Sequence, residues 1–172
     1  EIQKDANQMV GRLEEQEHIE NSFKDIEQGI VWITGAAGIG KSFLVARLAQ
    51  DLIDNNKDDN KIILPYRFKS GDDARCNRDA FATFAIERLV AMGALIDNVK
   101  VDEKGKAEDR LKSCLDYLNK DKKVIFVLDG LDELLSRDAS FAEEIPLGLD
   151  SLRITWVCSG RPEPELEKAF SN

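Results

Sequence analysis

Apolar residues run along this chain in two rhythms. Gly29-Ile30-Val31-Trp32-Ile33-Thr34, Ile62 to Phe68, Val124-Ile125-Phe126-Val127-Leu128 and Leu152 to Cys158 are short apolar runs that predict four strands. The third is continuous, as expected for a strand buried on both faces of a parallel sheet. Pro65 interrupts the second, and because proline donates nothing to a ladder, that strand is expected at a sheet edge. Between the strands the spacing becomes helical. Leu44, Val45, Leu48 and Leu52 predict a helix over Phe43 to Asp54, and Phe81, Phe84, Ala85 and Leu89 predict one from about Arg78 to Met92. Leu111, Leu115 and Leu118 form the buried side of another, and a short helical start is expected from Pro164 to Phe170. Residues 1–28 read as a polar leader and a helix striped by Leu13, Ile19, Phe23 and Ile26, with Gly29 as its stop.

Chemistry concentrates where the first strand meets its helix. Gly35-Ala36-Ala37-Gly38-Ile39-Gly40-Lys41-Ser42 fits the phosphate-binding pattern G-x-x-x-x-G-K-[ST], and Phe43 follows as the helix begins. Glycines let backbone N–H groups close on phosphate oxygens, Lys41 brings a point charge, and Ser42 offers a hydroxyl to Mg²⁺. The apolar strand before the loop and the helix after it supply the context that separates a phosphate loop from an ordinary glycine-rich turn.

Two further strand ends carry polar residues. The third strand ends in Asp129-Gly130-Leu131-Asp132-Glu133, which places the Asp129 carboxylate to hold Mg²⁺ beside the loop. The fourth ends in Ser159-Gly160-Arg161-Pro162, where Arg161 either approaches a γ-phosphate or is a surface arginine; its register with the other strand ends favours the first. Upstream, Met9-Val10-Gly11-Arg12 sits where related nucleotide-binding domains fold backbone against the base, although taken alone it is a helix lead-in with a solvated arginine. Asn56-Lys57-Asp58-Asp59 matches the guanine-reading N-K-x-D pattern but precedes the aspartate strand, so it reads as a solvated loop. His18 reads as a solvated side chain on a charged helix.

Bulk composition narrows the classes. With 172 residues, 42% hydrophobic and 33% charged, the chain is about one globular domain. A formal charge of −9 without a basic tail argues against broad nucleic-acid or anionic-membrane binding. No apolar run approaches the roughly 18 residues that span a bilayer, and the first residues are unlike a signal peptide, so a cytoplasmic location is expected. Cys76, Cys114 and Cys158 are odd in number and widely spaced, and with a single His they propose neither a disulfide framework nor a zinc site.

The order of Gly-Arg leader, phosphate loop, Asp-Gly-Leu-Asp-Glu and a strand ending in Ser-Gly-Arg-Pro resembles the NACHT branch of the STAND P-loop NTPases, over nearly the whole chain. In many P-loop ATPases a glutamate directly follows the Mg²⁺ aspartate; NACHT domains put a small residue there and an acidic pair beyond, as Gly130, Asp132 and Glu133 do. The resemblance implies a three-layer α/β P-loop fold of the ASCE and AAA+ type with a mostly parallel sheet. In that sheet the first strand is central, the third lies beside the fourth and the second is at the edge. It implies one nucleotide-binding domain over residues 1–172, with 1–28 as leader and 29–172 as core. The fifth strand, helical lid and winged-helix domain of the family would be absent, the core being truncated after its fourth strand.

For the site, the resemblance implies phosphates held by Gly35 to Phe43, base contacts from Val10, Gly11 and Arg12, Mg²⁺ on Ser42 and Asp129, water oriented by Asp132 or Glu133, and a γ-phosphate sensed by Arg161. Cys158-Ser159-Gly160-Arg161 departs from the family's usual Ser-Arg ending, which bears on the reach of Arg161. The function implied is an ATP/ADP switch with weak Mg²⁺-dependent ATPase activity coupled to self-association, alongside effector and sensor domains, in innate immunity, cell death or defence. A non-hydrolysing nucleotide scaffold and a P-loop kinase are the alternatives.

Overall fold

A computed structural model describes residues 17–19, 21, 28–96, 104–149 and 153–164. In chain order the elements are β1 (Gly29–Thr34), α1 (Lys41–Asp54), β2 (Lys61–Arg67), α2 (Arg78–Ala91), α3 (Ala107–Asp116), β3 (Lys123–Asp129), α4 (Leu131–Leu135), α5 (Phe141–Glu144) and β4 (Ile154–Gly160). The four strands form one all-parallel sheet in the order β1-β4-β3-β2. Such an α/β arrangement is compatible with a P-loop NTPase-like fold.

Side-chain alternation along the strands splits the core between two faces. Ile33, Ile63, Ile125, Val127 and Val157 meet Val45, Leu48 and Ala49 of α1 on one side. On the other, Ile62, Leu64, Tyr66, Val124, Phe126 and Trp156 pack against α2, α3, α4 and α5. That second face is aromatic: the Phe126 and Trp156 rings stack at 4.3 Å between centroids, and Phe81 sits edge-on to Tyr66, Phe126 and Phe141. Each fully buried phenylalanine contributes about 2–3 kcal/mol of transfer free energy, so this layer holds the sheet against its helices.

Pro65 behaves as its chemistry requires. Lys123 N donates to Asn60 O and Phe68 N to Asp129 O, so the even-numbered backbone groups of β2 turn toward β3. Pro65, odd-numbered, turns outward from the sheet edge, where the missing donor costs no ladder bond.

Local signals set the remaining elements. The Asn77 side chain caps α2 by accepting from Ala80 N at 2.7 Å, with Asp79 in the first turn. Arg78, next to the cap, joins Asp138, Glu144 and Glu108, tying α2 to the start of α3, to the turn before α5 and to the end of α5.

Two expectations need correction, and one placement is added. β1 stands at the sheet edge opposite β2 rather than centrally, because the central place anticipated a fifth strand and the described residues carry none beyond β4. Leu118 lies past the end of α3, which stops at Asp116; it is buried through an antiparallel bridge to Leu95. Asp132 and Glu133 lie on a short helix, α4, that directly follows the third strand. Most of residues 1–28 and of the helical start after Pro164 lies outside the described residues.

Candidate functional site

Strand register lines up one row of polar residues across the sheet. Two residues beyond buried Val127 comes Asp129, two beyond Val157 comes Ser159, and four beyond Ile63 comes Arg67, all on the α1 face. Arg67 pairs in register with Asp129, and Leu128 with Cys158, so Asp129 stands between Arg67 and Ser159. The row lies at the carboxyl ends of the parallel strands, the edge of an open α/β sheet where ligands bind. α1 starts beneath it. Unlike α2, α1 has no side-chain cap and no acidic residue in its first turn, which leaves its positive end suited to an anion.

Asp129 is 2% exposed and heavily partnered. Its Oδ1 accepts from Ser42 Oγ at 3.2 Å and Ser159 Oγ at 2.6 Å, while Oδ2 accepts from Arg67 Nε at 2.6 Å. A carboxylate this deep is stable only when paired and hydrogen-bonded, and these contacts meet that requirement. Lys41 Nζ donates to Gly35 O at 2.5 Å and Ala36 O at 3.0 Å, folding its ammonium back over its own loop.

Gly130 turns the chain from β3 into α4. Its φ of +77° is left-handed, and a Cβ there would sit 2.6 Å from the Phe68 carbonyl oxygen, so both backbone shape and space call for glycine. The tight turn delivers the acidic pair to the cleft. Asp132 Oδ2 meets Arg161 Nε at 3.3 Å, and Glu133 Oε2 accepts from Ser70 N at 2.5 Å. Together the loop, Asp129 and these groups line a cleft of about 130 Å³.

Ala37, Gly38, Lys41, Ser42, Asp129, Asp132, Glu133 and Arg161 therefore come together around one cleft. Gly35 and Ala36 join it through their carbonyls on Lys41, and Gly40 precedes α1. Ile39 and Phe43 are exposed, at 46% and 39%, on the loop and the first turn. Val10, Gly11 and Arg12 lie outside the described residues. Sequence reading missed Arg67, Ser159 and Ser70 as partners of the acidic residues. The signal for Arg67 is its place at a strand end on the same face as Asp129, visible only once the register is known.

A hydroxyl and a carboxylate 3.2 Å apart are the hard oxygen donors that Mg²⁺ prefers. Among the described residues no group of three or more His, Cys, Asp or Glu is disposed to cage a metal. A cation on Ser42 and Asp129 would therefore draw its other oxygens from phosphate or water. None of the helices among the described residues is long and apolar enough to cross a membrane.

The family model described as Nephrocystin 3, N-terminal matches residues 12–161. No curated protein matches the chain. Among solved structures, PCH-2 of C. elegans is similar at a TM-score of 0.46 and 16% identity, over 99% of this chain and 39% of that one. The chain thus spans well under half the length of that protein, and a likeness this low carries no argument about activity.

Proposed function

The chain belongs to the nephrocystin 3 N-terminal family, and we propose that it is a nucleotide-binding module of the NACHT type among STAND P-loop NTPases, holding ATP or ADP with Mg²⁺. The observation that carries this reading is the contact between Ser42 Oγ and Asp129 Oδ1, residues 87 apart in sequence. It joins the phosphate-loop helix to the acidic strand end, the two halves that a Mg²⁺-nucleotide site needs. In this reading residues 1–172 are one domain of the three-layer ASCE class.

Each residue then has a task. The amides of Gly35 to Phe43 and the positive end of α1 cradle the β- and γ-phosphates, and Lys41 exchanges its carbonyl partners for phosphate oxygens. Ser42 and Asp129 would hold a divalent cation, which supplies charge against the phosphate oxygens. Glu133 or Asp132 orients an attacking water and accepts its proton as the water oxygen bonds to the γ-phosphorus and the β–γ bridging bond breaks, leaving ADP. Arg161 turns from Asp132 to a γ-phosphate oxygen. Val10, Gly11 and Arg12 approach the base.

Ser70 N holds Glu133 Oε2 in this conformation, which restricts how the carboxylate can turn toward a water. Hydrolysis is accordingly slow, and the module works as a switch: triphosphate favours self-association, hydrolysis resets it, and effector and sensor domains in a cytoplasmic signalling protein of immunity, cell death or defence read the state. The same Glu133 contact favours a second reading, a scaffold that binds nucleotide without turnover. Steady-state phosphate release with Mg²⁺-ATP separates the two: Glu133→Gln combined with Asp132→Asn lowers the rate at least tenfold if the acidic pair acts on the water, and equal rates leave the scaffold.

A further inference from the structure

Arg67 is the residue that this reading of the site leaves without a task. It ends the edge strand β2, lies directly beside Asp129 in register, and gives its Nε to Oδ2 at 2.6 Å. Both side chains are largely withdrawn from solvent, at 14% and 3% exposure. Ser42 and Ser159 occupy Oδ1 but bring no charge, whereas Arg67 brings a positive charge to Oδ2 from the side of the edge strand.

Resting on the nucleotide-site reading, we propose that Arg67 is a built-in countercation that competes with the divalent metal for Asp129. With no metal bound, its guanidinium satisfies the buried carboxylate and keeps the row of strand ends in place. A divalent cation on Ser42 and Asp129 Oδ1 would add a second positive centre to the carboxylate that Arg67 holds by Oδ2, and their repulsion weakens the Arg67 contact. Arg67 also borders a groove of about 850 Å³ outside β2, between α1 and α2. The weakened contact therefore links metal loading of the cleft to the outer edge of the sheet, a route by which the nucleotide state reaches the surface.

The probe is Mn²⁺ alone, followed by electron paramagnetic resonance on the intact chain without nucleotide, with Mg²⁺-ATP titrated separately. Arg67→Gln should bind Mn²⁺ about tenfold more tightly than wild type, within the usual range of coupling between sites. Adding Asp129→Asn should abolish that gain. Arg67→Lys, which keeps the charge but loses the planar donor, should fall between the two and carries the comparison if Arg67→Gln does not fold. Equal or weaker Mn²⁺ binding in the Arg67 variants overturns the proposal even if wild type binds nucleotide. Wild type that fails to bind Mg²⁺-ATP, with the Mn²⁺ gain intact, overturns the nucleotide reading and leaves the competition standing.

Discussion

Replacing Gly130 by alanine tests the turn that sets the acidic pair in place. The left-handed φ of +77° costs an alanine about 1 kcal/mol, and the added Cβ meets the Phe68 carbonyl oxygen at 2.6 Å, a backbone atom that cannot rotate away. Relieving that overlap by shifting β2 against β3 costs about 2 kcal/mol more, for a total of about 3 kcal/mol. Gly38 provides the control. Its φ is +75°, yet nothing lies within 4 Å of the place a Cβ would take, so Gly38→Ala keeps the conformational penalty and loses the steric one. Urea unfolding should therefore place Gly130→Ala about 3 kcal/mol below wild type and Gly38→Ala about 1 kcal/mol below. In a thermal scan the first loss corresponds to a fall of roughly 6–12 °C in Tm. Equal losses for the two variants would refute the steric part of the reasoning and the close packing of Gly130 on Phe68.

Arg78→Met should destabilise by about 2 kcal/mol, because it removes the guanidinium that joins Asp138, Glu144 and Glu108 and leaves only the exposed Lys106 near Glu108. Arg137→Met should leave the urea midpoint close to that of wild type, since its partner Asp73 is 84% exposed and water screens the pair. Burial pushes the Cys114 thiol up to about 11 from an ordinary 9.0, so the folded chain keeps a proton that the unfolded chain releases. The associated stability is fully present below pH 9 and is lost as pH rises from 9 toward 11, by about 2–3 kcal/mol, and Cys114→Ala should show a correspondingly flatter alkaline decline in urea titrations.

Much of this arrangement can be read from residues alone where one element is long and its signal local. The strands β1 to β4, the helices α1 and α2 and the phosphate loop all carry their own periodicity or spacing, and Pro65 places β2 at an edge without any structure. The helix α4 has five residues and α5 four, too short for a 3.6-residue period to show. Leu118 fits the stripe of α3 by spacing, yet its burial comes from a long-range bridge to Leu95. Arg67 is illegible for a related reason. Its partner is 62 residues away, and nothing local to β2 distinguishes an arginine that meets a buried carboxylate from one that meets water. Ser159 is similar, because its hydroxyl matters only through the register of β3 and β4.

The function proposed for this chain depends on the cleft between Lys41, Ser42 and Asp129 taking nucleotide phosphates with Mg²⁺. Calorimetric titration of the chain with ATP, ADP and GTP in Mg²⁺, beside Lys41→Ala, addresses that dependence without intermediaries. The adenine nucleotides should bind, GTP should bind more weakly, and removing the Lys41 ammonium should cost at least about tenfold in affinity. Binding unchanged in Lys41→Ala, or no binding of any nucleotide to the wild-type chain, would contradict the nucleotide site.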